Sequence, residues 1–425
     1  MRVLSVIIAH PLRKVSGATN AGRQLTEAVS RLIDIKLAIM SDEDNTVVAE
    51  DLVIRRVRSS TRLGMLEHLM PRFVKVPLYD SKIPEMVGEG GYDLVHIHNL
   101  VPTLAAARLG RVCQRLGIPY VISTHGFFEL SSYAEINGFG RVKSALVDIA
   151  ITRPFRRVVA GATRILALSN CEGDLLSGMG VSPEQIDIVT NGVNEFFLAQ
   201  PKEHEIRAAR DKFAIGAGPA LLFMGSLHAY KGVGVFLQAL AKVNGPFQAV
   251  VAGRFKHPKE AEKLLAGANI SAELKSRIVF TGGVTDEELR ALYHLANLFV
   301  YPTMGDTLPL VILEAMACGL PVVSTTVGGI PYEVPAECGI LVPPGDPQAT
   351  AEAVNSMLNS PGRRELAGAR ARAHVLNTFR WDASARCAVA AYQKAVSGKR
   401  MNYTAAEQVT RSRGSETNRP AVDRR

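Results

Sequence analysis

The sequence predicts an α/β protein made of two parallel-sheet domains that face each other across a cleft, and three observations support this. Short apolar runs alternate with helix-period segments through the first half of the chain. A polar connector, Gln200 to Gly218, interrupts that pattern, and a fresh alternation of the same kind starts at Ala220. Such alternation argues for parallel strands covered by helices on both faces. The 425 residues exceed what one ordinary core supports, and a composition of 47% hydrophobic and 21% charged residues is that of a globular protein.

Taken in order, Val3 to Ala9 reads as the first strand, and the loop HPLRKVSGATN leads into a helix with Ala21, Leu25, Ala28, Val29 and Leu32 on one side. Further strands are expected at Ile35 to Ile39, Leu52 to Val57, Leu94 to Ile97, Tyr120 to Ser123, Ile165 to Leu168 and Ile186 to Val189. Their order in the sheet is not readable. Asn191-Gly192-Val193-Asn194 is a turn signal that closes this half. The second half places strands at Ala220 to Met224, Gln248 to Ala252, Ile278 to Thr281, Leu298 to Tyr301, Val322 to Ser324 and Gly339 to Val342. Thr285, Asp286 and Glu288 form a capping box and first turn for the helix after the third of these. The resulting division is 1–200, 201–380, a last helical segment 381–397, and a polar basic tail 398–425 whose lost apolar period predicts disorder.

A net charge of +9 admits nucleic acid, an anionic membrane surface or anionic small substrates as partners. No nucleic-acid-binding motif is present, which argues against the first. Two basic stretches with interleaved apolar residues, Arg55 to Pro77 and FGRVKSALVDIAITRPFRRVVA, could rest on anionic lipid, or could fill the core with their apolar faces. No apolar run reaches membrane-spanning length, and the expected location is the cytoplasm, with peripheral contact at the membrane's inner face left open. Five scattered cysteines lack metal-ligand spacing and read as buried thiols in a reducing compartment. His96 and His98, two apart on a strand, face the same way, but no third ligand stands near them in sequence.

The chemistry concentrates in FVYPTMGDTLPLVILEAMACGLPVVSTTVGGIPYEV, Phe299 to Val334. A buried strand runs into a loop with Gly305 and Asp306, and Pro309 suits the first turn of a helix that Gly319 ends. The backbone N–H groups of Leu310 and Val311 then form an anion site, bracketed by Asp306 and Glu314. On spacing alone, such an acid is as readily a partner of the helix dipole as a ligand group.

The stretch resembles the signature of retaining glycosyltransferases of family 4, in which acid, seven residues, acid is followed by A-M-A-x-G-x-P-V-V. The resemblance covers nearly the whole chain up to Val396 and implies the GT-B fold, two Rossmann-like domains around a cleft. It implies transfer of a sugar from a nucleoside-diphosphate donor, UDP- or GDP-linked, to a glycan, lipid-linked or small-molecule hydroxyl, with no cofactor and no metal. Residue by residue, it assigns Lys231 of GSLHAYKG to the diphosphate, with Ser226 standing where the family has arginine and Arg254 of AGRF as a candidate helper. Gly283 and Val284 would border the base, Leu310 and Val311 the diphosphate, Glu314 the ribose and Asp306 the donor sugar, with Asp306 standing where glutamate is usual. In the first domain it assigns Gly17 to the phosphate loop and His125 of STHGFFEL to the region of the reacting carbon. It also makes FRWDASARCAVAAYQKAV a helix crossing back to the first domain, with Trp381 and Tyr392 as packing anchors. Ser226 and Asp306 are the features that favour a rival reading, a non-catalytic paralogue serving as a binding or scaffold partner, and a nucleotide-sugar epimerase is a third possibility.

Overall fold

The computed structural model describes residues 1–9, 17–49, 52–61, 75–125, 140, 147–255, 259–268 and 270–415. Within them both halves of the chain are α/β. The first sheet has nine strands: β1 (Arg2–Ile7), β2 (Asp34–Ser41), β3 (Asn45–Ala49), β4 (Leu52–Thr61), β5 (Tyr79–Ser81), β6 (Leu94–His98), β7 (Tyr120–Ser123), β8 (Arg164–Ala167) and β9 (Ile186–Ile188). Their order is β3-β4-β2-β1-β6-β7-β8-β9, with β5 paired to β4. The second sheet holds β10 (Ala220–Met224), β11 (Gln248–Ala252), β12 (Ile278–Gly282), β13 (Leu298–Tyr301), β14 (Val322–Thr325) and β15 (Gly339–Val342), in the order β12-β11-β10-β13-β14-β15. All of its pairings are parallel.

The central strands form where the sequence places them because they are apolar on both faces. β7, β10 and β13 are buried along almost their whole length. Antiparallel β3 and β5 were not expected. β3 is NTVVA at the sheet edge with four of five residues exposed, so burial imposes no alternation on it, and β5 is only three residues long. β4 continues to Thr61 with a period-2 burial pattern, so the basic run from Arg55 begins as a strand and not as a surface helix; residues 62–74 lie outside the described residues. The second basic stretch ends in the helix Arg153–Ala160, whose Phe155, Val158 and Val159 are buried in the first-domain core.

Two chain crossings join the domains side by side. Val193 bridges to Arg380 and its N–H donates to the Phe379 carbonyl at 2.9 Å. Gly192 is confined here, because a Cβ would fall 2.4 Å from the Trp381 nitrogen. The last helix, Trp381–Ser415, then packs on the helix Gly17–Ser30. Ala385, Ala388, Ala391 and Ala395 are fully buried there, and their small side chains let the two helices approach closely. This helix runs through Gly398 to Ser415, where disorder was expected; KRMNYTAAEQVTRSR is rich in good helix formers and needs no apolar face to continue a helix already started. Residues 416–425 lie outside the described residues. Among the described residues no helix is long and apolar enough to cross a membrane.

Each sheet has one switch point, where sequence-adjacent connections depart in opposite directions: between β1 and β6 in the first, between β10 and β13 in the second. Open α/β sheets bind ligands outside the carboxyl ends of their strands at such points.

Candidate active site

At the second switch point the loops after β10 and β13 lock together. Gly232 has φ +81°, and a Cβ on it would fall 1.9 Å from the Pro302 carbonyl oxygen, so the turn that carries Lys231 requires glycine. The Tyr230 carbonyl accepts from the Met304 N–H at 2.8 Å and from Thr303 Oγ1 at 3.1 Å. This brings Lys231 Nζ to 2.8 and 2.9 Å from the two carboxylate oxygens of Asp306. Tyr301 donates its hydroxyl to Asp306 Oδ2 at 2.8 Å. Both side chains are nearly buried, at 15% and 12% exposure, so the pair has little screening from water.

The helix Leu310–Ala317 begins beside this pair. Pro309 is its N-cap, one position earlier than the first-turn place expected for it, and no side chain caps the helix among the described residues. Its first N–H groups therefore point out of the helix end unpaired by a cap. Gly319 adopts φ +79° after the last turn, as a terminating glycine does. Glu314 is buried and accepts a hydrogen bond from the Tyr293 hydroxyl at 3.2 Å. Burial pushes its carboxyl up to about 8, with Asp286 adding to the shift and Tyr293 opposing it.

The neighbouring strand ends line up with this corner. Gly225 and Gly253 follow β10 and β11, and Gly282 ends β12; the Gly225 N–H donates to the Ala252 carbonyl at 3.0 Å and the Gly253 N–H to the Gly282 carbonyl at 3.0 Å. Ser226 and Arg254 are exposed on this edge, and Arg254 lies across Gly283, where a Cβ would sit 2.7 Å from Arg254 Cγ. Val284 packs against the second-domain core. Thr285 and Glu288 do form the expected capping box.

In the first domain, His125 stands two residues beyond the end of β7 in a left-handed conformation, φ +43°. Its Nε2 lies 2.9 Å from His98 Nδ1, and the rings of His96 and His98 pack with centroids 3.8 Å apart and planes tilted by 45°. A third histidine thus does stand beside His96 and His98, 27 residues on in sequence and adjacent in space. The rings hydrogen-bond to each other and to hydroxyls, and among the described residues no group of three or more possible ligands converges on a metal position. Burial lowers His125 to about 4 and His96 to about 3, with His125 a lesser influence on His96, so both rings are neutral at pH 7. Gly17 opens the helix Gly17–Ser30 and is exposed, with open space where a Cβ would be; residues 10–16 before it are outside the described residues.

Two buried carboxyls near the cleft escaped the sequence reading. Glu172 accepts from Thr124 Oγ1 and, at 2.7 Å, from the Leu168 N–H, beside His125. Its S-x-x-E spacing from Ser169 was a legible helix-start signal. Glu333 is fully buried with neither oxygen partnered among the described residues, and burial, with Asp306 adding to it, raises its carboxyl well above the ordinary range. It gave no signal. The two domains touch nearby, since Ser169 lies 3.1 Å from where a Cβ on Gly329 would be, and Asn191 Nδ2 donates to the Leu308 carbonyl at 2.8 Å.

Two family models match the chain, one in each half. Residues 15–195 match the model described as Glycosyltransferase Family 4, and residues 218–360 match Glycosyl transferases group 1. A D-inositol 3-phosphate glycosyltransferase of Frankia alni is 29% identical over 388 residues, covering 87% of this chain and 90% of that enzyme. Among solved structures, sucrose-phosphate synthase from Thermosynechococcus elongatus superimposes with a TM-score of 0.73 at 21% identity, over 94% of this chain and 100% of that one. HepE of Anabaena, solved with UDP-glucose, gives 0.68 at 18% identity, over 93% and 98%.

Proposed function

The chain belongs to the family 4, group 1 glycosyltransferases and has their GT-B fold, and from that premise we propose that it moves a sugar from a nucleoside diphosphate to an acceptor hydroxyl with retention of configuration. The bond from the anomeric carbon to the β-phosphate oxygen breaks, and a bond to the acceptor oxygen forms on the same face. The acceptor's proton passes to the departing phosphate, so no protein carboxylate need act as nucleophile.

The observation that supports this best is the meeting of Lys231 with Asp306 at the start of Leu310–Ala317. A nearly buried cation, helix N–H groups and a carboxylate at one switch point suit a diphosphate with a hydroxyl-bearing sugar attached. Lys231 and the Leu310 and Val311 amides stabilise charge on the leaving diphosphate, which is where most of the barrier is lowered. When the diphosphate takes Lys231, Asp306 is released to accept from the donor sugar's hydroxyls. Glu314 binds the ribose, Gly283 and Val284 border the base, and Ser226, Arg254 and Gly17 border the phosphates. No divalent metal is needed on this reading, because the lysine and the helix end carry the charge. HepE's complex with UDP-glucose makes a UDP-sugar the first donor to try, and a basic protein suits acceptors that are anionic or lie on an anionic membrane.

The test is to incubate the protein with UDP-glucose or GDP-mannose and a panel of polyol and lipid-linked acceptors. Release of nucleoside diphosphate with an axial anomeric product from an axial donor is the expected result. An inverted product would contradict retention, and a donor converted to its epimer without acceptor would favour the isomerase.

A further inference from the structure

His98 forms one link of a buried hydrogen-bond chain whose direction can be worked out from its far end. Thr26 Oγ1 donates to the Gly22 carbonyl at 2.7 Å, and a carbonyl can only accept. Thr26 has then spent its single proton, so at 2.7 Å Ser5 Oγ must be the donor to Thr26. Ser5 in turn has none left, and it accepts from His98 Nε2 at 3.1 Å. Burial, with His96 and His125 adding to it, holds His98 well below the ordinary histidine range, so the ring is neutral and carries one proton, on Nε2. Its Nδ1 is consequently an acceptor, and the 2.9 Å contact requires that His125 Nε2 donate. His125 is neutral too, which leaves its Nδ1 without a proton. That atom is buried and has no partner among the described residues.

The chain is held in place from both sides. A Cβ on Gly22 would fall 3.0 Å from His98 Cγ, so the helix carrying Thr26 presses directly on the imidazole. On the other face His96 packs against His98 in a tilted ring contact and is itself fixed, with Nδ1 2.7 Å from the Tyr392 hydroxyl and Nε2 2.8 Å from Ser123 Oγ.

From this geometry we infer that His98 is a positioning residue which, through Ser5 and Thr26, holds His125 in the Nε2–H tautomer and so presents its bare Nδ1 as an acceptor for a hydroxyl of the bound donor sugar. The inference rests on the glycosyltransferase reading for the identity of the ligand, but not for the tautomer. An unpaired buried acceptor is costly in the empty site, and a ligand hydroxyl that satisfies it is favoured over an analogue lacking it. A fixed acceptor selects hydroxyl donors, whereas a free imidazole would adapt to either.

The experiment reads both links. Histidine ring 15N spectra of the full chain at neutral pH should show His98 and His125 each with a pyrrole-type Nε2 and a pyridine-type Nδ1. Ser5→Ala deletes one hydroxyl and should move a measurable fraction of both rings, together, into the other tautomer. His98→Asn offers a carbonyl acceptor in the same place and should keep His125 in its original state, while His98→Ala should not. In thermal unfolding, the stabilisation that UDP-glucose gains over UDP, or GDP-mannose over GDP, should correspond to an affinity at least threefold weaker in Ser5→Ala and recover in His98→Asn, with the shift by UDP or GDP unchanged. A wild-type His125 protonated on Nδ1, or tautomers indifferent to Ser5→Ala, would overturn the relay. A sugar increment that stays put while the tautomers move would overturn the acceptor role. If neither UDP nor GDP shifts the wild type, the transferase reading is what fails, and the ring spectra still decide the relay.

Discussion

The two domains bring opposite electrostatics to the cleft. On the second-domain side the central feature is an ion pair: Lys231 is bound by both oxygens of Asp306, and beside it a helix end presents N–H groups that no side chain caps among the described residues. On the first-domain side His96, His98 and His125 are neutral; they bond to one another and to the hydroxyls of Ser5, Ser123 and Tyr392, and only His125 Nδ1 is left over among the described residues. A diphosphate needs fixed charge, whereas a sugar needs directed donors and acceptors that carry none. The division of polarity between the domains therefore matches the two halves of a nucleotide-sugar.

That contrast can be broken most severely at Gly232. Replacing it with alanine puts a Cβ 1.9 Å from the Pro302 oxygen in a left-handed turn, and overpacking with strain should cost about 3 kcal/mol or more. Urea unfolding should show a lowered midpoint, and the variant should lose nucleotide binding because the Lys231 turn has moved. Next in size is the ion pair itself. A double-mutant cycle with Lys231→Met and Asp306→Asn should give a coupling on the order of 2–3 kcal/mol, changed little by 0.5 M salt. The exposed Arg207–Glu203 pair should give about 0.5 kcal/mol or less and vanish in the same salt. On the neutral side, Tyr392→Phe strips His96 of a buried partner and should cost about 1–2 kcal/mol at every ionic strength.

A dependence on pH also separates the domains. Glu314 is raised from 4.5 to about 8, so its folded state holds a proton that the unfolded state releases. Its contribution to stability is complete below 4.5 and is lost as pH rises through about 8. Glu314→Gln should therefore gain on the wild type steadily from pH 6 to pH 9. His96 and His125 are lowered from 6.5 to about 3 and about 4; their contribution is complete above 6.5 and is lost as pH falls toward those values. Hydrogen exchange should place the acid-side loss in the first domain and the alkaline-side loss in the second.

Legibility in the sequence follows the same division. The strands Tyr120–Ser123, Ala220–Met224 and Leu298–Tyr301 were read to the residue, because strands buried on both faces carry a short continuous apolar signal bounded by turn residues. Edge strand Asn45–Ala49, exposed and barely constrained, left no such trace. Within the site, Asp306, Pro309 and Glu314 lie on one local strand–loop–helix, so their neighbourhood was visible. The partnership of Lys231 with Asp306 was not, since it depends on which strands neighbour β10, and strand order is a property of the whole sheet. The histidines show the same limit more sharply. His96 and His98 were seen to share a face, but His125 is 27 residues away, and only the parallel pairing of β6 with β7 brings it alongside. Glu333 was illegible because a lone acid between Tyr332 and Val334 looks like a surface residue until the fold buries it completely.

The central claim is that Lys231 and the helix end beside it bind a nucleoside diphosphate without a metal. Thermal unfolding of the wild type and of Lys231→Ala with UDP, GDP, ADP and CMP, each with and without EDTA, tests it directly. A ligand at a hundred times its dissociation constant adds about 2.7 kcal/mol, which is readily seen as a shift in melting temperature. The account predicts that one nucleoside diphosphate stabilises the wild type equally in EDTA and fails to stabilise Lys231→Ala. Stabilisation that EDTA abolishes, that survives in Lys231→Ala, or that no nucleotide produces at millimolar concentration would contradict it.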